Sequence, residues 1–190
     1  MGLRAVIVGI PGVGKTTVLE KVVGSYRGAR LANFGTIMLE VGRAEKLVEF
    51  RDELRKLPLD KQRRLQKAAA GKISLMRDKL VVVDTHLFIR THDGFWPGLP
   101  FEVLRALKPT HLILLEASPN EIAKRRASDT TRYRDPATED SLKEELALAR
   151  SFITACSTVT GAPITIVRNG EGMQAEVAQG ISRMLEKASA

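Results

Sequence analysis

A chain of 190 residues, 44% hydrophobic and 27% charged, is long enough for one complete α/β core and does not require a second domain. Its charge of +8 and pI near 9.9 fit a pocket for polyphosphate ligands, while aromatic residues at 5% and the lack of a long basic run or basic-aromatic pattern disfavour nucleic acid as partner. The lone cysteine, Cys156, excludes an intrachain disulfide or a cysteine-built metal site; no stretch approaches the about twenty apolar residues of a membrane helix, so a soluble, cytoplasmic protein without a membrane partner is expected.

The chain opens with Leu3 to Val8, a short run rich in Val and Ile that reads as a buried strand. Gly9-Ile10-Pro11-Gly12-Val13-Gly14-Lys15-Thr16 follows and fits G-x-x-x-x-G-K-[ST] without a gap, in the context strand, loop, helix. Gly9, Gly12 and Gly14 lack a Cβ, so successive N–H groups can turn inward and a phosphate can approach the backbone closely. Lys15 would place an ammonium on the β- and γ-phosphates, Thr16 would offer its hydroxyl to Mg²⁺, and the following helix adds a favourable dipole.

Thr17 to Val23 reads as a helix stopped by Gly24, with Val18, Leu19 and Val22 on its inner side, and a second strand is expected over Arg30 to Phe34. From Thr36 to Arg77 the pattern is helical, with no strand-like run: Leu65, Ala68, Ala69, Ile73 and Met76 recur at spacings of three and four. Leu80 to Val83 is continuously apolar and so predicts a third strand, buried on both faces of a parallel sheet. It ends in Asp84, where a P-loop protein would carry a carboxylate linked to Mg²⁺, usually through water.

Thr85 to Pro100 shows little periodicity and contains His86, Arg90, His92, Asp93 and Trp96; as a loop at the carboxyl edge of the sheet it lies where ligands bind. With no third candidate ligand nearby, His86 and His92 read as hydrogen-bonding or surface groups. Thr110 to Glu116 predicts the fourth strand, and Ser118-Pro119-Asn120-Glu121 a helix start with Ser as N-cap and Glu closing a capping box. That helix ends in an arginine-rich stretch: Arg125, Arg126, Arg132 and Arg134, interrupted by Ser128, Asp129, Thr130 and Thr131, read as spaced guanidinium groups on a short mobile connector suited to closing over phosphates. Leu142, Leu146, Ala149, Ile153 and Cys156 mark a long helix that carries Arg150 beside its apolar stripe, where Cys156 packs as core. Pro163 to Val167 is the fifth strand, Arg168 to Gly172 a turn, and Val177, Ile181, Met184 and Leu185 a closing amphipathic helix. Strands alternating with helices predict a three-layer α/β sandwich with a five-stranded parallel sheet and right-handed crossovers.

Taken as an ordered set, the P-loop, Arg51-Asp52-Glu53-Leu54-Arg55-Lys56-Leu57, Asp84-Thr85-His86 through Arg90-Thr91, Pro97-Gly98-Leu99-Pro100 and Asp129-Thr130-Thr131-Arg132 make the chain similar to the archaeal-type adenylate kinases, the short-lid branch of the P-loop nucleoside monophosphate kinases. The likeness spans nearly the whole chain. It implies one kinase domain with core segments 1–35, 78–125 and 138–190, an AMP-binding insertion at 36–77 and a short lid at 126–137. It further implies Mg²⁺-dependent, reversible phosphoryl transfer from ATP to AMP, giving two ADP, by a homo-oligomer, often a trimer.

Carried over on the same likeness, ATP would be held by Gly9, Ile10, Pro11, Gly12, Val13, Gly14, Lys15, Thr16, Thr17 and Arg125, and AMP by Gly35, Met38, Arg51, Arg55, Thr85, His86 and Arg90. Thr16 and Asp84 would serve Mg²⁺. Lys15, Arg90, Arg132, Arg134 and Arg150 would surround the transferring phosphoryl group, with the adenine of ATP between the turn at 169–172 and the base of the lid. One departure is Glu40, where bacterial relatives carry an acceptor-binding Arg, so that Arg51 or Arg55 would take that role. Two other readings stand beside this one: a kinase of the same fold for another acceptor, such as UMP, CMP or a non-nucleotide alcohol, and a regulatory or RNA-associated ATPase.

Overall fold

The computed structural model describes residues 2–91, 94–128 and 138–189. Strand β1 (Leu3–Val8) leads through the Gly-rich loop into helix α1 (Lys15–Ser25), β2 (Ala29–Asn33), α2 (Phe34–Ala44), a 3₁₀ turn (Arg51–Lys56), α3 (Leu59–Ser74) and β3 (Leu80–Asp84). A two-stranded hairpin of β4 (Phe88–Thr91) and β5 (Gly94–Pro97) comes next, then α4 (Phe101–Leu107) and β6 (His111–Glu116). Helices α5 (Pro119–Ser128) and α6 (Glu139–Thr160), strand β7 (Ile164–Arg168) and helix α7 (Gln174–Ser189) complete the order.

The main sheet is five-stranded and parallel throughout, in the order β2-β3-β1-β6-β7. Its middle strands carry apolar side chains on both faces and are covered on both sides: Val6, Ile7, Val8, Val82, Val83, Ile113 and Leu114 are all 0% exposed. Because β1 sits between β3 and β6, the chain turns to opposite sides of the sheet at its carboxyl end, which opens a crevice where the Gly-rich loop lies. A smaller apolar cluster of Val41, Val48, Leu54 and Leu65 holds the helical stretch between β2 and β3 together, and Met38 packs against both this cluster and the main core.

Four local expectations are corrected. Helix α1 does not stop at Gly24 but runs to Ser25, since its face is fixed by Val18, Leu19 and Val22 and its end is tied to α7 by a 2.8 Å Ser25–Ser182 hydroxyl contact. Phe34 opens α2 instead of ending β2, because the preceding Asn33 caps that helix by accepting from the Thr36 N–H at 2.9 Å. The stretch 85–100 is not all irregular: β4 and β5 pair, with Phe88 and Phe95 packed edge to face at 5.1 Å. Arg125 and Arg126 belong to the last turn of α5, not to a connector beyond it.

At the edge of the sheet, Ser118 and Glu121 form the expected capping box: the Ser118 N–H donates to Glu121 Oε2 at 2.8 Å, and the Glu121 N–H donates to Ser118 Oγ at 3.3 Å. Cys156 is buried, and burial pushes its thiol up to about 11, in keeping with a packing role. Among the described residues, no helix is long and apolar enough to cross a membrane.

Candidate active site

The loop between β1 and α1 takes its shape from two glycines with left-handed backbones, Gly12 at φ +92° and Gly14 at φ +80°. Gly14 is also the N-cap of α1, and no side chain caps that end, which suits the positive end of the helix dipole to an anion. A cavity of about 290 Å³ opens there, lined by Gly9, Ile10, Pro11, Gly12, Gly14, Lys15, Thr16 and Thr17, with His86 and Arg125 completing its wall. Val13, the remaining loop residue, faces inward and is fully buried in the core.

The carbonyl groups of this loop are held from behind. Arg126 Nε donates to the Pro11 carbonyl at 2.9 Å, and the same guanidinium donates to Glu145 Oε2 at 2.8 Å. Arg125 Nη1 and Asn169 Nδ2 both donate to the Val13 carbonyl, at 3.2 and 2.7 Å. Arg125 is thus fastened to the loop while it forms part of the pocket wall.

Beside the loop, Lys15 Nζ pairs with Asp84 Oδ1, and Asn33 Nδ2 donates to Asp84 Oδ2 at 2.7 Å. The three meet because β1, β3 and β2 are neighbours and Asn33 stands opposite Asp84 in the register of the sheet. For a divalent cation the available side chains are hard oxygens: the exposed Thr16 hydroxyl and the Asp84 carboxylate, next to a cradle for phosphates. No group of three His, Cys, Asp or Glu side chains gathers among the described residues. Such a set fits Mg²⁺, which takes one or two protein oxygens plus phosphate and water, and does not fit zinc.

The helical stretch between β2 and β3 comes near this centre through Arg51 and Arg55, whose charges act on His86. A Cβ on Gly35 would run into the Arg51 guanidinium, so this glycine is where α2 and the 3₁₀ turn meet. His86 lies against both halves: it lines the phosphate cavity, and its titration is lowered to about 4, first by burial and then by the positive charges of Lys15, Arg51 and Arg55. Its ring is therefore neutral near pH 7, and Nδ1 has no partner among the described residues. Thr85, before it, is buried.

The structure accordingly brings the loop residues other than Val13, with Thr17, Asp84, His86 and Arg125, to one crevice, and sets Arg51 and Arg55 near enough for their charges to act on His86; Met38 packs against the two apolar clusters. Arg150 stands apart from the cavity wall: Nε and Nη2 grip Glu116 Oε1 and Oε2 at 2.7 and 2.6 Å, at the carboxyl end of β6. Arg90 lies on β4 opposite Phe95. Arg132, Arg134 and His92 fall outside the described residues. Sequence reasoning passed over Asn33, and it read Asn169 only as part of a turn and Arg126 only as a group closing over phosphates, not as supports of the loop carbonyls. Asn33 was detectable as a helix cap, three residues before Thr36, but not as the partner of Asp84; Asn169 carries no motif, because it reaches the loop across 156 positions of chain.

A family model described as an AAA domain matches residues 8–143. An adenylate kinase of Thermoplasma acidophilum is 42% identical over 183 residues, covering 96% of this chain and 98% of its own length. Adenylate kinases of Methanocaldococcus jannaschii and Pyrococcus horikoshii are 40% and 41% identical, covering 95% and 90% of this chain and 97% and 88% of theirs. Among solved structures, shikimate kinase from Acinetobacter baumannii in complex with shikimate superposes with a TM-score of 0.63 at 15% identity, over 99% of this chain and 95% of that one. The Aquifex aeolicus shikimate kinase reaches 0.58 at 19% identity, over 98% of each chain, and both likenesses bear on the fold alone. A phosphate loop on a five-stranded parallel sheet, and identities of 40 to 42% over nearly full length, mean that the chain belongs to the archaeal adenylate kinase family of P-loop phosphotransferases.

Proposed function

We propose that the protein is a nucleoside monophosphate kinase that transfers a phosphoryl group reversibly from ATP to AMP, giving two ADP, with Mg²⁺ as cofactor. The observation that carries this reading is the convergence on His86 of a phosphate cradle, whose wall it completes, and a second cationic group, Arg51 and Arg55, whose charges act on its ring.

The acceptor is a phosphate oxygen that is already ionised near pH 7, so no side chain needs to remove a proton from it. What remains is alignment and charge. Two polyanions repel one another, and the loop N–H groups, Lys15 and Arg125 would hold the donor while Arg51, Arg55 and Arg90 draw the acceptor phosphate into line. Thr16 and Asp84 would hold Mg²⁺, which would supply positive charge to offset that of the phosphates. Lys15 then leaves Asp84 for the phosphates, and Asn33 keeps the carboxylate oriented. Residues 126–137 form the lid in this reading, with Arg132, Arg134 and Arg150 supplying charge on closure and water exclusion; residues 36–77 form the acceptor insertion of a single kinase domain. Neutral His86, wedged against the cavity, separates the two phosphate sites without adding a competing charge. The proposal extends to a cytoplasmic homo-oligomer, and the lone buried cysteine suits a reducing compartment.

Purified protein incubated with ATP, Mg²⁺ and, in turn, AMP, UMP or CMP tests this reading. ADP production that depends on AMP supports it. Transfer to another acceptor alone, or slow hydrolysis indifferent to any acceptor, overturns it.

A further inference from the structure

Asn169 is 0% exposed, follows directly on β7, and sends its side chain under the phosphate loop. Its backbone is pinned: the N–H donates to the Glu116 carbonyl at 2.7 Å, and its own carbonyl accepts from Arg125 Nη2 at 3.1 Å. From that fixed point Nδ2 donates to the Val13 carbonyl at 2.7 Å.

The direction of this bond matters because the described peptide bonds are all trans. In a trans peptide the C=O and the N–H of the following residue point opposite ways. Drawing the Val13 carbonyl toward Asn169 therefore aims the Gly14 N–H away from Asn169, and Gly14 lines the donor cavity. We propose that Asn169 is a positioning residue for the donor phosphates, acting through the Val13–Gly14 peptide to present the Gly14 N–H to the triphosphate. The inference rests on the reading of this loop as the ATP site.

Two further observations bear on it. Asn169 Oδ1 is buried with no partner among the described residues, and turning the amide over would set that oxygen against the Val13 carbonyl, so the donor must face the loop. A buried acceptor left unpaired is a cost to folding, and therefore a poor device for stability alone. Nδ2 also stands 2.6 Å from where a Cβ on Gly14 would be, so the amide and the glycine backbone fit together as one surface.

Asn169→Asp keeps the shape but replaces the donor by an oxygen facing a carbonyl. In folded enzyme the expected result is a rise of about tenfold in the KM for ATP, with the KM for AMP held within about twofold. An unchanged KM for ATP, or equal rises for both nucleotides, would overturn the proposal. Should the variant not fold, amide NMR of the wild type decides: on addition of ATP the Gly14 N–H resonance is expected to move downfield, and a Gly14 resonance that stays in place while ATP binds refutes the role. Because ATP binding by calorimetry and the Gly14 shift do not need the acceptor, they distinguish failure of this inference from failure of AMP as substrate.

Discussion

Replacement of Lys15 by alanine separates what this residue does for the fold from what it does for the reaction. In the structure Lys15 opens α1 and pairs with Asp84, the side chains being 11% and 14% exposed. The substitution removes one partner of that pair, but Asp84 retains the Asn33 donor at 2.7 Å, and alanine is at least as good a helix former. The stability loss is therefore expected to be small, about 1–2 kcal/mol. On the donor phosphates the loss is larger. A unit charge about 4 Å from a developing negative charge, at an effective dielectric near 20, contributes about 4 kcal/mol, which is about a thousandfold in rate. Coupled assay of ADP formation should show kcat/KM of Lys15→Ala lower by about three orders of magnitude, with a thermal midpoint within about 5 °C of wild type. Near-normal turnover in a folded variant would refute the assignment of Lys15 to the transferred phosphoryl group; an unfolded variant would refute the argument that Asn33 can hold Asp84 by itself.

Gly14→Ala forces a Cβ onto a φ of +80° and to 2.6 Å from Asn169 Nδ2, so a loss of about 2–4 kcal/mol is expected, read by urea denaturation, together with weaker ATP binding by calorimetry. Arg4→Met removes two bonds from a buried guanidinium, to the Leu107 carbonyl at 2.5 Å and the Ser74 carbonyl at 3.2 Å, both near helix ends; it should cost about 2–4 kcal/mol in denaturant while kcat stays unchanged, because β1 carries Arg4 at the end away from the loop. Glu121 is held down to about 2 by the Ser118 hydroxyl, the Ser118 N–H and the Glu171 N–H. Since its folded value lies below the ordinary carboxylate value, its contribution is present above about pH 4.5 and lost as pH falls through about 2. The difference in thermal midpoint between wild type and Glu121→Gln should therefore shrink over that interval; a constant difference would exclude the cap as its source.

Much of this protein could be read from local pattern. The run rich in Val and Ile at Leu3 to Val8 and the continuous apolar run at Leu80 to Val83 had to be covered by other elements, so a parallel sheet between helix layers followed from burial alone. The glycines, Lys15 and Thr16 announced a phosphate cradle because adjacent residues build it and no distant partner is needed to recognise it. Asp84 was legible as the polar end of a buried strand, and Ser118 with Glu121 as a cap, each for the same reason of short range.

What the residues in order do not contain is who stands behind whom. Gly24 looked like a stop, yet packing of α1 along α7 carries the helix past it; the strands β4 and β5, four residues each, are too short for periodicity to reveal, and the contact between Phe88 and Phe95 exists only after they pair. Asn33 met Asp84, Asn169 reached Val13, and Arg150 closed on Glu116 only because parallel crossovers bring strand ends from distant sequence to one edge. Backbone conformation and burial are local preferences that a sequence states directly; hydrogen-bond partners across a sheet edge depend on strand order and register, and these are decided when the whole core packs at once.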